Sequence, residues 1–285
     1  MKDVTNAMRA HILTAAVPYI KQYTDQYVVV KYGGNAMIDE ELKKSVMKDL
    51  MLLQLVGVKV VLVHGGGPAI NSTLDAMKIE SRFANGLRVT DEATMDVVQM
   101  VLAGKVNKGL VADLTDLGGK AVGLCGVDGN MIQVHKQNDE LGYVGSIDTI
   151  DTSIIDDVIS RGYIPVISSI GMGADGKTYN INADTVAAKI AGALKAETMV
   201  AMTNIDGVLR DVHDPSSLIS KITMAEADQL KGEGIIAGGM IPKVDCCLEA
   251  IKSGAQKVFI INGEIPHAIL IELLTDEGLG TMFVA

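Results

Sequence analysis

The chain has 285 residues, 48% of them hydrophobic and 21% charged, with a formal net charge of -10; that is enough apolar mass for one large α/β domain or two closely joined lobes, and too much for a disordered chain. The acidic balance repels nucleic acid, and no dense Lys/Arg tract offsets it locally. The longest apolar runs are strand-sized and interrupted, and the N-terminus lacks the basic head and apolar body of a signal peptide, so no membrane association and a cytoplasmic location are expected.

Residues 4–23 carry apolar side chains at Val4, Met8, Ile12, Ala15, Ala16, Tyr19 and Ile20, mostly three or four apart, which predicts an amphipathic helix bent at Pro18. Standing outside the strand and helix alternation that follows, this helix covers either its own domain or a neighbour, and a subunit contact is expected. The β-branched run Tyr27-Val-Val-Val-Lys31 reads as a buried strand, stopped by Gly33 and Gly34 before a helix over residues 40–56. Lys31 therefore stands at a strand's C-terminal end, beside backbone N–H groups that glycine leaves uncovered, and that is an anion site.

A second strand over residues 58–63 runs into His64-Gly65-Gly66-Gly67-Pro68 and a helix over residues 69–77. Three glycines between a buried strand and a helix N-terminus make a second anion cradle on the same sheet edge. Helices are predicted over residues 91–104 and 107–117, then a strand over residues 121–124. Residues 126–129 are a turn, and residues 131–135 and 143–150 are the arms of a hairpin that walls the site. A helix over residues 153–161 and a strand over residues 163–168 lead to Gly171-Met-Gly173-Ala-Asp-Gly176. This has the spacing of a dinucleotide fingerprint, but a short strand follows where that motif needs a helix, so it reads as a hairpin turn. A Walker-type phosphate loop is absent.

Asn180, Asn182 and Asp184 cluster at the start of a helix over residues 185–194, where capping accounts for polar residues equally well. A strand over residues 198–202 enters the tight turn around Asp206-Gly207. A helix over residues 224–231 and a small-residue loop precede Met240-Ile-Pro242-Lys243, a helix start with proline in its first turn. A strand over residues 257–261, a helix over residues 266–274 and a strand over residues 281–284 complete the chain. Cys125 reads as core. Cys246 and Cys247 are adjacent on a helix, and neither cysteines nor histidines have disulfide, nucleophile or metal-ligand spacing.

The inventory is thus two glycine-lined cradles, two lysines at element ends, one aspartate at a helix start, and no general base. It suits phosphoryl transfer to an acceptor that is already an anion, since positioning and charge neutralisation do most of that catalysis.

At these residues the chain resembles the amino acid kinase family, and within it the branch whose acceptor is N-acetyl-L-glutamate. The pieces that carry the resemblance are Lys31-Tyr-Gly-Gly34-Asn35-Ala36, Val63-His-Gly-Gly-Gly-Pro68, Asn85-Gly-Leu-Arg88-Val-Thr90, Tyr179-Asn-Ile-Asn-Ala-Asp184 and Gly238-Gly-Met-Ile-Pro-Lys243, in order and with family-like spacing. The resemblance implies a three-layer αβα sandwich around a mostly parallel sheet. An N-terminal helix (1–25) would precede an acceptor lobe (26–194) and a nucleotide lobe (195–285). It also implies transfer of the ATP γ-phosphoryl group, with Mg2+, to the γ-carboxylate of N-acetyl-L-glutamate in arginine biosynthesis. Lys31 and Lys243 would hold the moving group, Asp184 would orient both lysines, and Gly34 and Gly66 would donate N–H groups. Gly66, Gly67, Arg88 and Asn180 would hold the acceptor. For Arg88 the competing reading is a surface salt bridge. Thr203, Asn204, Gly207, Val208, Leu209, Ile235, Gly239 and Lys243 would hold the nucleotide, with Asn204 standing where the family usually has aspartate.

The N-terminal helix and residues 262–280 resemble the arginine-inhibited branch, in which such a helix joins dimers into a hexamer. His267, Glu272, Gly278 and Gly280 would belong to its arginine site, although Glu264 replaces an arginine common there. Two alternatives remain beside this reading: a sibling kinase acting on carbamate, aspartate or glutamate, and a catalytically silent nucleotide- or arginine-sensing module.

Overall fold

The computed structural model describes residues 5–84 and 86–285; Val4 and Asn85, both used above, lie outside them. The N-terminal segment forms two helices, α1 (Asn6–Ala15) and α2 (Val17–Tyr23). The break falls at Ala16 rather than at Pro18. Pro18 thereby sits in the first turn of α2, where its missing N–H leaves no helical bond unmade. No residue of α1 is buried, and its Met8, Ile12 and Leu13 are exposed.

Alternation begins at β1 (Tyr27–Tyr32), followed by α3 (Glu40–Leu55), β2 (Lys59–His64) and α4 (Gly67–Met77). A small hairpin, β3 (Arg82–Ala84) and β4 (Leu87–Val89), precedes α5 (Glu92–Gln99), a π-helical segment (Met100–Val106) and α6 (Asn107–Asp116). Next come β5 (Ala121–Cys125), β6 (Ile132–Lys136), β7 (Gly145–Ile150), α7 (Ser153–Ser160), β8 (Ile164–Ser168), β9 (Ile170–Gly173) and β10 (Thr178–Asn180). The chain ends through α8 (Ala183–Ala193), β11 (Thr198–Thr203), β12 (Lys221–Thr223), α9 (Met224–Gly232), α10 (Met240–Lys252), β13 (Lys257–Asn262), α11 (Ala268–Leu274) and β14 (Thr281–Val284).

Eight strands form the central sheet in the order β12-β14-β13-β11-β1-β2-β8-β5. From β13 to β5 every pairing is parallel, and only β14 runs antiparallel to β13. Because successive side chains leave a strand on opposite faces, each strand feeds two cores. Val29, Val61, Met199 and Ile260 pack under α8 and α10. Val28, Val30, Leu62, Val200 and Ile261 pack under α3, α6 and α11. The result is a three-layer αβα sandwich. No helix among the described residues is long and apolar enough to cross a membrane.

The hairpin expected over residues 131–150 pairs β6 with β7 and joins a second, four-stranded sheet, β10-β9-β6-β7. Gly171 and Gly173 lie inside β9 rather than in a turn. A Cβ at Gly171 would come 2.7 Å from Val134 Cγ1, so close packing of strands explains this glycine. Further readings need correction. Cys125 is half-buried at the edge strand's end rather than core. The helix expected from residue 266 starts at Ala268, after His267 takes a left-handed φ of 61°. The strand β12 was not expected, since its three residues contain one buried apolar side chain, Ile222.

At Gly192 of α8 a Cβ would meet Ser253 Cβ, beyond the end of α10, at 2.3 Å. The Gly192→Ala variant is expected to force these helices apart and destabilise the fold by about 1–3 kcal/mol, read as a thermal midpoint lowered by several degrees. Adding Ser253→Gly should restore only part of the loss, because the Ser253 backbone C and O would still lie 3.0 Å from the new Cβ; an unchanged midpoint in the single variant would contradict the close packing.

Candidate active site

Strand alternation decides where the first lysine goes. Lys31 follows Val29 by two residues and so faces the α8 and α10 side of the sheet. On that side α8 begins with Asn182 as its N-cap, whose Oδ1 accepts from Asp184 N at 2.8 Å and Thr185 N at 3.3 Å. The three polar residues that sequence alone left as joint cap candidates thus separate. Asn182 caps; Asp184 is left to pair with Lys31, Nζ to Oδ1 at 2.9 Å; and Asn180 Nδ2 donates to Thr90 Oγ1 at 3.3 Å.

Lys243 lies in the first turn of α10 and donates to the Thr203 hydroxyl at the end of β11. Burial holds its ammonium below the ordinary lysine value, and the positive charge of Lys31 pushes the same way, while Asp184 opposes both. Residues 31 and 243, far apart in sequence, therefore sense one another's charge. Lys31, Asp184, Thr203 and Lys243 line one gap of about 10 Å³.

The two glycine cradles adjoin because β1 and β2 are parallel neighbours with Tyr32 opposite His64. Gly34 takes a φ of 73°, the left-handed region that glycine enters without strain. Helix α4 begins at Gly67, two residues earlier than its apolar pattern suggested, so Gly66 and Gly67 stand at its N-terminus. The N–H groups of Gly66 and Gly67 meet no acceptor among the described residues. Lys31, Gly34, Gly66, Gly67, Arg88 and Asn180 all line a cleft of about 330 Å³.

Arg88 is only 7% exposed. Its guanidinium donates to Asn71 Oδ1 at 2.5 Å and to the Ser81 hydroxyl, and sits 4.7 Å over the Phe83 ring. No carboxylate among the described residues pairs with it, so the surface salt bridge is not what this residue makes. Burial holds its pKa below the usual arginine value. A buried cation with neutral partners on a cleft wall has its charge free for an anion, and its planar fork suits a carboxylate.

On the other side of Asp184 lies a second cavity of about 560 Å³, lined by Gly239, Pro242 and Lys243 together with Ser146, Asn182 and Asp184. Asn204, Gly207, Val208, Leu209 and Ile235 line neither cavity. Asn204 is exposed just after β11, and Val208 is buried with its N–H donating to Thr281 Oγ1 at 2.8 Å. Sequence reasoning missed Leu102 and Ser169, which also line the first cleft. Leu102 had no local signal, because it reaches the cleft only through the π-helical turn.

The remaining predicted residues gather around α11. His267 Nδ1 lies 2.6 Å from Asp49 Oδ1, and burial pushes the Asp49 carboxyl up to about 6. Glu272 Oε2 accepts from the N–H groups of Leu279 and Gly280 at 2.7 and 3.1 Å. A Cβ at Gly280 would sit 2.0 Å from the Ile260 carbonyl oxygen, and Gly278 is exposed. Packing alone accounts for Gly280.

The amino acid kinase family model matches residues 26–262. Acetylglutamate kinase of Brachyspira hyodysenteriae is 52% identical over 285 residues, covering 99% of each chain. Acetylglutamate kinase of Clostridium kluyveri is 54% identical over 275 residues, covering 96% of this chain and 97% of the other. Among solved structures, N-acetylglutamate synthase from Neisseria gonorrhoeae, complexed with coenzyme A and N-acetyl-glutamate, matches 97% of this chain with a TM-score of 0.84 at 27% identity; the match spans 63% of the synthase chain. Carbamate kinase from Giardia lamblia bound to AMP-PNP shares the fold, with a TM-score of 0.64 at 17% identity over 91% of this chain and 98% of the other. With curated kinases matched from end to end and the family model spanning most of its length, the chain is a kinase that belongs to the amino acid kinase family.

Proposed function

We propose that this enzyme transfers the γ-phosphoryl group of ATP to the γ-carboxylate of N-acetyl-L-glutamate, forming an acyl phosphate for arginine biosynthesis. One observation carries the reading: two lysines from distant parts of the chain converge with Asp184 where two cavities meet. The names of the relatives that match end to end support this acceptor. A cytoplasmic location fits a substrate such as ATP.

A carboxylate acceptor has an unperturbed pKa of about 4.3, so at neutral pH it attacks without a general base. The difficulty is electrostatic, since two anions must meet. Lys31 and Lys243 offset the charge of the moving group, Asp184 keeps both ammoniums aimed, and the Gly34 and Gly66 N–H groups donate to phosphoryl oxygens. These interactions strengthen as charge spreads over the transferring group. In the acceptor lobe (26–194), Arg88 takes a substrate carboxylate through its planar fork, with Gly66, Gly67 and Asn180 completing the seat. In the nucleotide lobe (195–285), ATP is assigned to the cavity that Gly239 and Lys243 line, with the segments of Thr203, Asn204, Gly207, Val208, Leu209 and Ile235, which lie outside that cavity, as its further contacts. Asn204 keeps an acceptor oxygen but lacks the charge of aspartate.

Mg2+ enters as part of the nucleotide substrate. Among the described residues no group of three or more His, Cys, Asp or Glu could hold a metal ion, and Asp184 is engaged by Lys31.

We also assign α1, with its exposed apolar side chains and no buried residue, to the joining of dimers into a hexamer. His267, Glu272 and Gly278 are assigned to an arginine site that inhibits the enzyme, with Gly280 shaping the turn beside it by close packing.

A coupled ADP assay tests the reaction. Lys31→Ala and Lys243→Ala should each lower kcat by about two orders of magnitude or more with the fold intact, whereas Arg88→Lys should mainly raise KM for N-acetyl-L-glutamate; near-normal turnover in both alanine variants rules the assignment out. The depressed Lys243 pKa has a sign: its charge is lost at lower pH than an ordinary lysine's. The kcat/KM profile should therefore fall on its alkaline side below pH 10.5, and the activity left in Lys243→Arg should lack that limb. Deleting residues 1–24 should yield dimers with weakened inhibition by arginine, read by sedimentation and assay; an unchanged particle size contradicts the assembly role.

A further inference from the structure

Beneath the second glycine cradle runs a buried polar chain that the proposed reaction has not used. His64, the last residue of β2, is fully buried. Its Nδ1 lies 2.8 Å from the Gly65 carbonyl oxygen, and its Nε2 lies 3.1 Å from Asn107 Nδ2. The surroundings set the orientation of Asn107. Nδ2 also faces the Val166 and Leu124 carbonyls at 2.8 and 3.3 Å, and Oδ1 accepts from the Lys108 ammonium at 3.2 Å. An amide nitrogen only donates, so Nε2 accepts, the ring proton sits on Nδ1, and that N–H donates to Gly65. Burial holds the imidazole pKa down to about 4, which keeps the ring neutral.

We propose that His64 is a positioning residue for phosphoryl transfer: by gripping the Gly65 carbonyl from below, it locks the Gly65–Gly66 peptide with the Gly66 N–H turned toward the cleft. The proposal rests on the role given to Gly66 in the proposed function. In a planar trans peptide the carbonyl and the next N–H point in opposite directions, so tying one inward aims the other outward. A Gly-Gly peptide has little intrinsic preference between the two orientations and needs such an anchor.

Gly66 is also packed by side chains. Leu102 and Val106 lie against Gly66, where a Cβ would come 2.6 Å from Leu102 Cδ2 and 3.4 Å from Val106 Cγ2, so only glycine fits between them without a side-chain shift. In an α-helix, positions five apart lie about 140° around the axis. The π-helical turn at residues 100–106 bonds i to i+5 and brings such positions toward one side. Leu102 thereby reaches Gly66 while Asn107 reaches His64, two supports delivered by one irregular turn.

The test compares wild type with His64→Leu, which removes both hydrogen bonds, and His64→Asn, whose amide can donate to Gly65 from near the Nδ1 position. With folding checked by thermal melting, His64→Leu is expected to lose roughly 10- to 100-fold in kcat. KM for ATP and for N-acetyl-L-glutamate should change less than about threefold, and His64→Asn should recover most of the loss. Equal kcat in all three proteins, or an equal loss in both folded variants, overturns the proposal. The ¹⁵N spectrum of the histidine rings, with the His64 signal identified by its absence from His64→Asn, gives a readout independent of turnover. A protonated Nδ1 and bare Nε2 are expected; a proton on Nε2 overturns the anchor even if the leucine variant fails to fold. Wild-type protein that forms no ADP with N-acetyl-L-glutamate overturns the functional reading, and the role of Gly66 with it, whatever the spectrum shows.

Discussion

The ion pair between Lys31 and Asp184 is the contact on which the cleft depends. It joins the C-terminal end of β1 to the first turn of α8, and it exists because two local rules agree. Strand alternation aims Lys31 at the α8 face, and Asn182 takes over the capping that would otherwise have occupied Asp184. The helix N-terminus also favours a carboxylate there. Once the pair has formed, Lys243 is the cation left with only a hydroxyl for a partner, and its depressed pKa follows from burial beside a second positive charge.

Locally, therefore, the sign of the molecule reverses. The whole chain carries a formal charge of -10, yet the cleft region presents Lys31, Lys243 and Arg88 against Asp184. Screening limits the reach of the distant acidic surface to roughly 8 Å at physiological ionic strength. A bound anion thus senses the cleft rather than the net charge. This surplus of buried cation lowers stability in the empty site and is relieved when anionic substrates arrive, which is the pattern expected where binding energy is directed to the reaction.

The glycine N–H groups that line the cleft stand on a buried polar layer. Glycine lets a chain approach a ligand closely, but the same freedom leaves its peptide planes undetermined. In this protein the layer under the glycines is polar and satisfied: His64, Asn107, Lys108 and the carbonyls of β5 and β8 form one connected set. Such a network inside a parallel sheet is rigid because breaking any member leaves a buried polar group unpaired.

Most of the fold was legible along the chain. The β-branched runs at residues 27–31 and 58–63, the glycines that end them and the helix patterns between are local signals, and they gave a parallel α/β sandwich with an anion site at the strand ends. Short elements were not legible: β12 depends on pairing with β14 for its existence, and the helix break at Ala16 precedes the proline expected to cause it. The candidate site divides the same way. Residue types and their spacing along the sequence already determined that lysines, glycines and an aspartate would stand at element ends, because capping and strand termination act over a few residues. That Lys31 meets Asp184 and Lys243, that Arg88 is buried without a carboxylate, and that Leu102 and Asn107 support one cradle were decided by the tertiary structure alone. These contacts join residues tens to hundreds of positions apart, and only the order of strands in the sheet, the side on which each helix packs and the register of one π-helical turn bring them together.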